Sequence, residues 1–196
     1  MYSLLLPLSI FALVHSETNV KTIATVETTT VFDDPCQIPL KIGKPSNGDN
    51  ATQSYKFFFD NKINRCFKYR SEGGNDSENS FESEESCRYR CIPMDFFTCG
   101  GNAPSTGSCS QFDPTAPKCP AGSFCKNGGM SSMCCSTDIE KAFEKEYNPS
   151  CPSGTIVKEK VWFGEDVVRG RACSDNFCPN GTECHQGEWI SFCCRK

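Results

Sequence analysis

The sequence predicts a chain of small disulfide-rich modules rather than one large globule, and three observations predict it. Sixteen of the 196 residues are cysteine, an even number, and all lie from Cys36 onward. Hydrophobic residues make up 37% even with every cysteine counted, which is thin for a single large core. The cysteines also fall into blocks of four, six and six, and the last two blocks share a spacing. Full pairing of so many thiols needs an oxidising compartment, which argues against a cytosolic enzyme. The charge balance, 20 Lys plus Arg against 24 Asp plus Glu for a net −4, argues against a nucleic-acid partner, which needs a basic face.

The chain begins with an uncharged, mostly apolar stretch from Leu4 to Val14. It falls short of the roughly 20 residues that span a bilayer. Val14 and Ser16 stand before a cut preceding Glu17, so residues 1–16 read as a secretory signal peptide. The expected product is secreted and extracellular, with no membrane partner. Residues 17–35 are rich in threonine and free of cysteine. They read as a flexible, O-glycosylated lead-in, with a short strand through Val26–Val31 as the alternative. Asn50, Asn75 and Asn180 each open an Asn-x-Ser/Thr glycosylation sequon, whereas Pro149 disqualifies Asn148.

Residues 36–91 hold the block of four cysteines. Cys87 and Cys91 stand at i, i+4, one above the other on a helix face. Ser83 reads as the N-cap, Glu84 and Glu85 occupy the first turn, and Arg88 and Arg90 the last, as the helix dipole favours. Upstream, Tyr55–Asp60 and Asn64–Arg70 are aromatic, strand-like runs, and the residues between them read as a hairpin turn.

Phe57, Phe58, Phe59, Asp60, Cys66, Phe67, Tyr69, Gly73, Asn79, Phe81, Ser83, Glu85, Cys87 and Cys91 resemble the Kunitz (pancreatic trypsin inhibitor) family, with the Cys66–Cys87–Cys91 spacing of that family. The resemblance implies an α+β module, a twisted β-hairpin plus a C-terminal helix, with bridges Cys36–Cys91 and Cys66–Cys87. It also implies an extracellular serine protease as partner.

Two departures bear on that function. The family has six cysteines and this block has four. Counting back from Cys66 puts the missing second cysteine at Asn50, and counting forward puts the missing fourth at Gly74. The absent bridge ties the protease-binding loop to its neighbour, and preorganisation of that kind underlies tight binding. The protease-binding residues implied are Asn50, Ala51 and Thr52 with Gly73 and Gly74. Ala51 takes the primary specificity position, and its small side chain suits an elastase-like pocket. Because the Cys36–Cys66 spacing is longer than the family's, Lys44 is a rival, although Pro45 after it resists cleavage chemistry. Glu72 stands where the family has glycine. The sequons Asn50 and Asn75 lie at or beside the two vacated positions, so glycans there would crowd the protease-facing tip.

The rest of the chain repeats. Cys119-Pro-Ala-Gly-Ser-Phe-Cys125 aligns with Cys178-Pro-Asn-Gly-Thr-Glu-Cys184, and Cys134-Cys135 aligns with Cys193-Cys194. This places one repeat at 92–136 and a second at 150–196, both expected to be β-poor, with internal pairing of unknown connectivity. The motif resembles the lustrin-type cysteine-rich repeat of nematode and invertebrate matrix proteins, which implies association with extracellular matrix or cuticle. Between the repeats, residues 137–149 read as a short helical linker. Thr137 to Glu140 make a capping box, and Ile139, Phe143 and Tyr147 recur at i, i+4, i+8. A solvated linker is the alternative. Thr155–Phe163 and Asp166–Val168 suggest a hairpin turning near Gly164.

No catalytic constellation emerges. His185 has no nucleophile or orienting partner in the sequence pattern. Paired cysteines leave no thiolate for zinc, so no metal and no cofactor are expected. The acidic run from Glu72 to Glu85, which includes Asp76, lacks calcium-loop spacing and reads as a solvated face. Lys56, Lys62, Arg65, Lys68 and Arg70 read as a basic surface, with a glycan or protease exosite as the alternative. Two functions remain. One is a secreted modulator of serine proteases acting in matrix or cuticle, as a weak or atypical inhibitor or a binder that does not inhibit. The other is a structural or adhesive matrix protein that uses the Kunitz fold as scaffold.

Overall fold

The aromatic runs form the expected hairpin. Strand β1 (Ser54–Asp60) pairs antiparallel with β2 (Arg65–Ser71), with Phe58 opposite Phe67 and Phe59 opposite Cys66. The turn between them opens with the Asp60 carboxylate accepting from the Lys62 amide at 2.8 Å and closes on Asn64 at φ 51°, a conformation asparagine tolerates. The computed structural model describes residues 34–45, 53–113, 115–129, 131–161 and 164–196. The signal segment, the Thr-rich lead-in before Asp34, and Asn50, Ala51 and Thr52 lie outside the described residues.

Alternation along β1 serves two cores. Phe58 joins Phe67 and Tyr69 on one face, while Phe57 and Phe59 join Cys36, Cys66 and Cys87 on the other. Helix α1 (Glu84–Cys91) covers the second face. The Ser83 hydroxyl accepts from the Ser86 amide, and the Ser86 hydroxyl accepts from the Ser83 amide, so the capping box closes on serine. Bridges Cys36–Cys91 and Cys66–Cys87 fasten α1 to the chain entry and to β2. The i, i+4 spacing of Cys87 and Cys91 sends one sulfur to each.

The two later blocks share a pairing order. Cys99–Cys135, Cys109–Cys125 and Cys119–Cys134 join first to sixth, second to fourth and third to fifth. Cys151–Cys194, Cys173–Cys184 and Cys178–Cys193 repeat that order. Adjacent cysteines lie on one strand and point to opposite faces, so they take different partners.

The expectation of β-poor repeats is corrected. In the first, β3 (Gly107–Ser108), β4 (Ser123–Asn127) and β5 (Ser132–Ser136) form a sheet with Cys125 opposite Cys134. Helix α2 (Thr137–Tyr147) follows directly. The second contributes β6 (Thr155–Ile156), β7 (Lys158–Val161), β8 (Gly164–Val167), β9 (Arg169–Gly170), β10 (Glu183–His185) and β11 (Ser191–Arg195), with Cys184 opposite Cys193 in the same register as before. No bridge joins β4 to β5 or β10 to β11; each strand's cysteines are tied instead to the loops that precede the pair, and Gly122 (φ 78°) and Gly181 (φ 79°) accept the left-handed backbone of the turn leading into β4 and β10. The suggested late hairpin is shorter than expected. It is made of β7 and β8, whereas β6 pairs with β11.

Separate modules are also corrected. β9 pairs parallel with β2 at Lys68 and Gly170 and antiparallel with β11. The first module and the last repeat therefore share one sheet, ordered β1-β2-β9-β11-β10, with β6 on β11. Phe143 of α2 and Ile190 before β11 complete the core around Phe58, Ile63, Phe67 and Tyr69, with Trp189 packed against it. That apolar face of the hairpin would be wet in an isolated module, and burying it joins them. The helix between the repeats is consequently a packed element, not a solvated linker. Its capping box is not formed. Ser136 is the N-cap without a side-chain bond, Thr137 is already helical, and the Glu140 carboxylate accepts instead from the Gly100 amide and from Lys126 Nζ. Near its other end, the Glu146 carboxylate accepts from the amides of Glu188, Trp189 and Ile190 at 2.7, 2.8 and 3.0 Å.

Candidate functional site

The open end of the hairpin is where the missing bridge would lie. Two segments meet there, 41–44 and 73–77. The Ser77 amide donates to the Lys41 carbonyl at 2.9 Å, and the Lys41 amide donates to the Ser77 hydroxyl at 3.1 Å. The backbones touch. A Cβ built on Gly43 would fall 2.2 Å from the Asn75 carbonyl oxygen, and one on Gly74 would fall 2.4 Å from that of Lys44. Glycine at both positions is therefore a requirement of close approach. Among the described residues, the backbones of Gly43 and Lys44 lie against Gly74. Gly73 and Gly74 thus sit on the head of the module, beside an open depression of about 450 Å³ formed with Lys41–Lys44.

Asp76 organises this head. Its Oδ1 accepts from the Gly43 amide at 2.9 Å. Its Oδ2 accepts from the Tyr69 hydroxyl at 2.9 Å and the Ser71 hydroxyl at 2.7 Å, and Lys56 Nζ lies 3.7 Å away. The carboxylate side chain is only 3% exposed. Burial works to raise its pKa, but the bonds from Ser71, Gly43 and Tyr69 and the charge of Lys56 outweigh it and hold the carboxyl below its ordinary range. Burial, reinforced by Asp76, pushes the Tyr69 hydroxyl well above its ordinary range, so it remains a donor. By sequence pattern alone Asp76 reads as one member of an acidic surface. The available signal was its place just after Gly73–Gly74–Asn75, where a short carboxylate is the nearest acceptor for a neighbouring loop.

Other singled-out residues have structural employment. Lys56 reaches Asp76 and Glu82, Lys68 pairs with Glu159, and Arg70 donates to the Asn180 side chain at 3.2 Å. The Arg65 guanidinium lies 5.0 Å from the ring centres of both Phe143 and Tyr147, and burial lowers its pKa. The basic set is thus largely mortar between modules, and Lys62 alone of the five is exposed. Asn79 is fully engaged. Its amide nitrogen donates to the carbonyls of Ile38 and Phe59, and its oxygen accepts from the Phe59 amide, all at 2.8 Å. The sequon residues Asn75 and Asn180 are both exposed. His185 stacks on Phe192 with ring centres 5.3 Å apart. Cys109, Cys119 and Cys125 gather within 4.8 Å, as do Cys99, Cys135 and Glu140, but every one of those sulfurs is in a disulfide and offers no thiolate.

Residues 35–92 match the Kunitz/bovine pancreatic trypsin inhibitor domain. A BPTI/Kunitz inhibitor domain-containing protein of Caenorhabditis elegans, C02F12.5, is 40% identical over 160 residues, covering 82% of this chain and 89% of the relative. The chain belongs to the BPTI/Kunitz inhibitor domain family. The major allergen Ani s 1 of Anisakis simplex is 32% identical over 169 residues, covering 82% of this chain and 86% of the allergen. No solved structure matches. Both alignments run far beyond the Kunitz domain, so the likeness extends into the cysteine-rich repeats. Among the described residues, no helix is long and apolar enough to cross a membrane.

Proposed function

We propose that the protein is a secreted Kunitz-type partner of extracellular serine proteases that modulates them weakly or binds without inhibiting, in a matrix or cuticle setting. It engages them through Asn50, Ala51 and Thr52 together with Gly73 and Gly74. The observation that carries this reading is the head of the Kunitz domain. The fold of a protease inhibitor is retained, yet the two segments at its tip are closed by hydrogen bonds and none of the eight disulfides joins them. Loops held by bonds worth about 1 kcal/mol each are ordered less firmly than bridged ones, and the ordering that remains is lost from affinity on binding. The name of the Caenorhabditis elegans relative, an inhibitor domain-containing protein, supports the protease as partner. The resemblance of the repeats to lustrin-type modules supports the matrix setting.

The test is a set of inhibition and complex-formation assays with the purified oxidised chain against elastase-, chymotrypsin- and trypsin-like enzymes. A complex that lowers the rate only partly, strongest with a small-pocket enzyme, is the expected outcome. No rate change and no complex with any of them overturns the proposal and leaves the scaffold role in matrix. Where a complex forms, Ala51→Arg should move preference toward the trypsin-like enzyme.

A further inference from the structure

The head is held together from inside by one carboxylate. One buried side chain, Asp76, spans three pieces of chain: the Gly43 amide of the first loop, the second loop that carries it, and the hydroxyls of Tyr69 and Ser71 on β2. Tyr69 and Ser71 are themselves completely buried, so the anchor is a fixed floor. The space between the loops is closed to a disulfide in this arrangement. Half-cystines need Cβ atoms about 3.8 Å apart, whereas a Cβ on Gly74 already collides with the backbone of Lys44. We propose that Asp76 is a positioning residue for the protease-facing head, its carboxylate holding the first loop against the second where no covalent bridge does. Its bearing on protease binding rests on the reading above; the positioning does not.

A carboxylate clamp differs from a disulfide in being titratable. The groups that face Asp76 are Lys56 from β1, which it shares with Glu82, and Tyr69 and Ser71 from β2. The folded carboxyl sits below its unfolded value, so its stabilisation is present in full above that value and is lost as pH falls through the folded one. The head therefore loosens in acid, as pH falls below the ordinary carboxylate range, while the disulfide-closed base does not.

Amide hydrogen exchange on the full oxidised chain tests this, with protection factors corrected for intrinsic rate at each pH. Gly43 reports the clamp, and Phe59, bonded to Asn79 at the base, is the control. Asp76→Ala should cut Gly43 protection about tenfold or more, with Asp76→Asn intermediate and Phe59 unchanged. Trypsin cleavage after Lys41 should accelerate in parallel. Wild type should show the same selective loss on acidification, and Glu82→Gln should retain it. Gly43 protection that is flat with pH and equal in both variants overturns the proposal. Should Asp76→Ala unfold the domain and expose Phe59 as well, the wild-type pH series decides alone. Protease binding is measured separately on the same proteins. Loop order lost with no protease complex in any variant sinks the protease reading and leaves the clamp. Order unchanged with complex lost sinks the clamp.

Discussion

The base and the head of the Kunitz domain are closed by different chemistry. At the base, Cys36–Cys91 and Cys66–Cys87 tie α1 to the hairpin around Phe59, and Asn79 satisfies the backbone of Phe59 and Ile38 from inside. At the head, a carboxylate, two hydroxyls and a backbone contact perform the closure. Covalent constraint is concentrated where the core is, and the tip relies on groups that salt, acid or a partner can disturb. The difference teaches that one small fold can close one end with disulfides and the other with hydrogen bonds and close backbone contact.

The bluntest way to break the contrast is to unbridge the base. Cys36→Ala with Cys91→Ala opens a loop of 55 residues and should cost about 4 kcal/mol by the chain-entropy relation; Cys66→Ala with Cys87→Ala opens 21 residues and should cost about 3 kcal/mol. Urea unfolding of the otherwise oxidised chain measures both. A loss below about 1 kcal/mol in either would mean that the later modules, not the bridges, hold the base.

Phe143 sharpens the comparison by asking whether the base ends at Cys91. Its ring fills the hairpin core from α2 and meets Trp189 edge-on with ring centres 5.8 Å apart. Phe143→Ala should cost about 3 kcal/mol, the low end for a buried phenylalanine because Trp189 and Tyr147 stand at the rim and can relax inward. The shared core further predicts one cooperative transition seen equally by probes in the hairpin and in the repeats. Two separated transitions would make the Kunitz domain an independent unit.

Some of this architecture is legible in the chain and some is not, for physical reasons. The hairpin and α1 announce themselves through alternating aromatics, an i, i+4 cysteine pair and a Ser83 cap, which are local patterns of period two and 3.6. The second repeat is visible because its cysteine spacing copies the first. The junction is invisible because it depends on isolated residues far apart in sequence: a two-residue strand, β9, and single side chains such as Lys68, Glu146 and Arg171. Thr137 to Glu140 carry a capping-box pattern, but a tertiary donor, Lys126 Nζ, takes the Glu140 carboxylate instead. The head was half legible. Gly73 and Gly74 are marked by resemblance, but counting cannot say which residue of a lengthened loop lies opposite them. Close backbone approach puts Gly43 and Lys44 against Gly74, and Asp76 hides within an acidic run whose other members are mostly exposed.

Glu146 tests the polar part of the seam. Three consecutive backbone amides converge on its carboxylate, so Glu146→Ala leaves three donors without it and should cost about 2 kcal/mol. Glu146→Gln should recover part of that. A change under about 0.5 kcal/mol in thermal or urea unfolding would show that water replaces the carboxylate freely.

The smallest effect belongs to the ion pair at the turn of the hairpin. Arg171 Nε donates to Asp60 Oδ2 at 2.9 Å, with the two side chains 27% and 13% exposed. Neither residue is spent on this bond alone. Arg171 also donates to the carbonyls of Glu188 and Trp189, and Asp60 also accepts from the Lys62 amide in the turn. Single substitutions would therefore mix the pair with the loop and the turn. A double-mutant cycle of Asp60→Asn and Arg171→Met isolates the coupling, expected at about 1 kcal/mol at low salt and smaller at high salt. Coupling below about 0.3 kcal/mol at low salt would assign this side of the seam to apolar burial around Phe143 and Ile190.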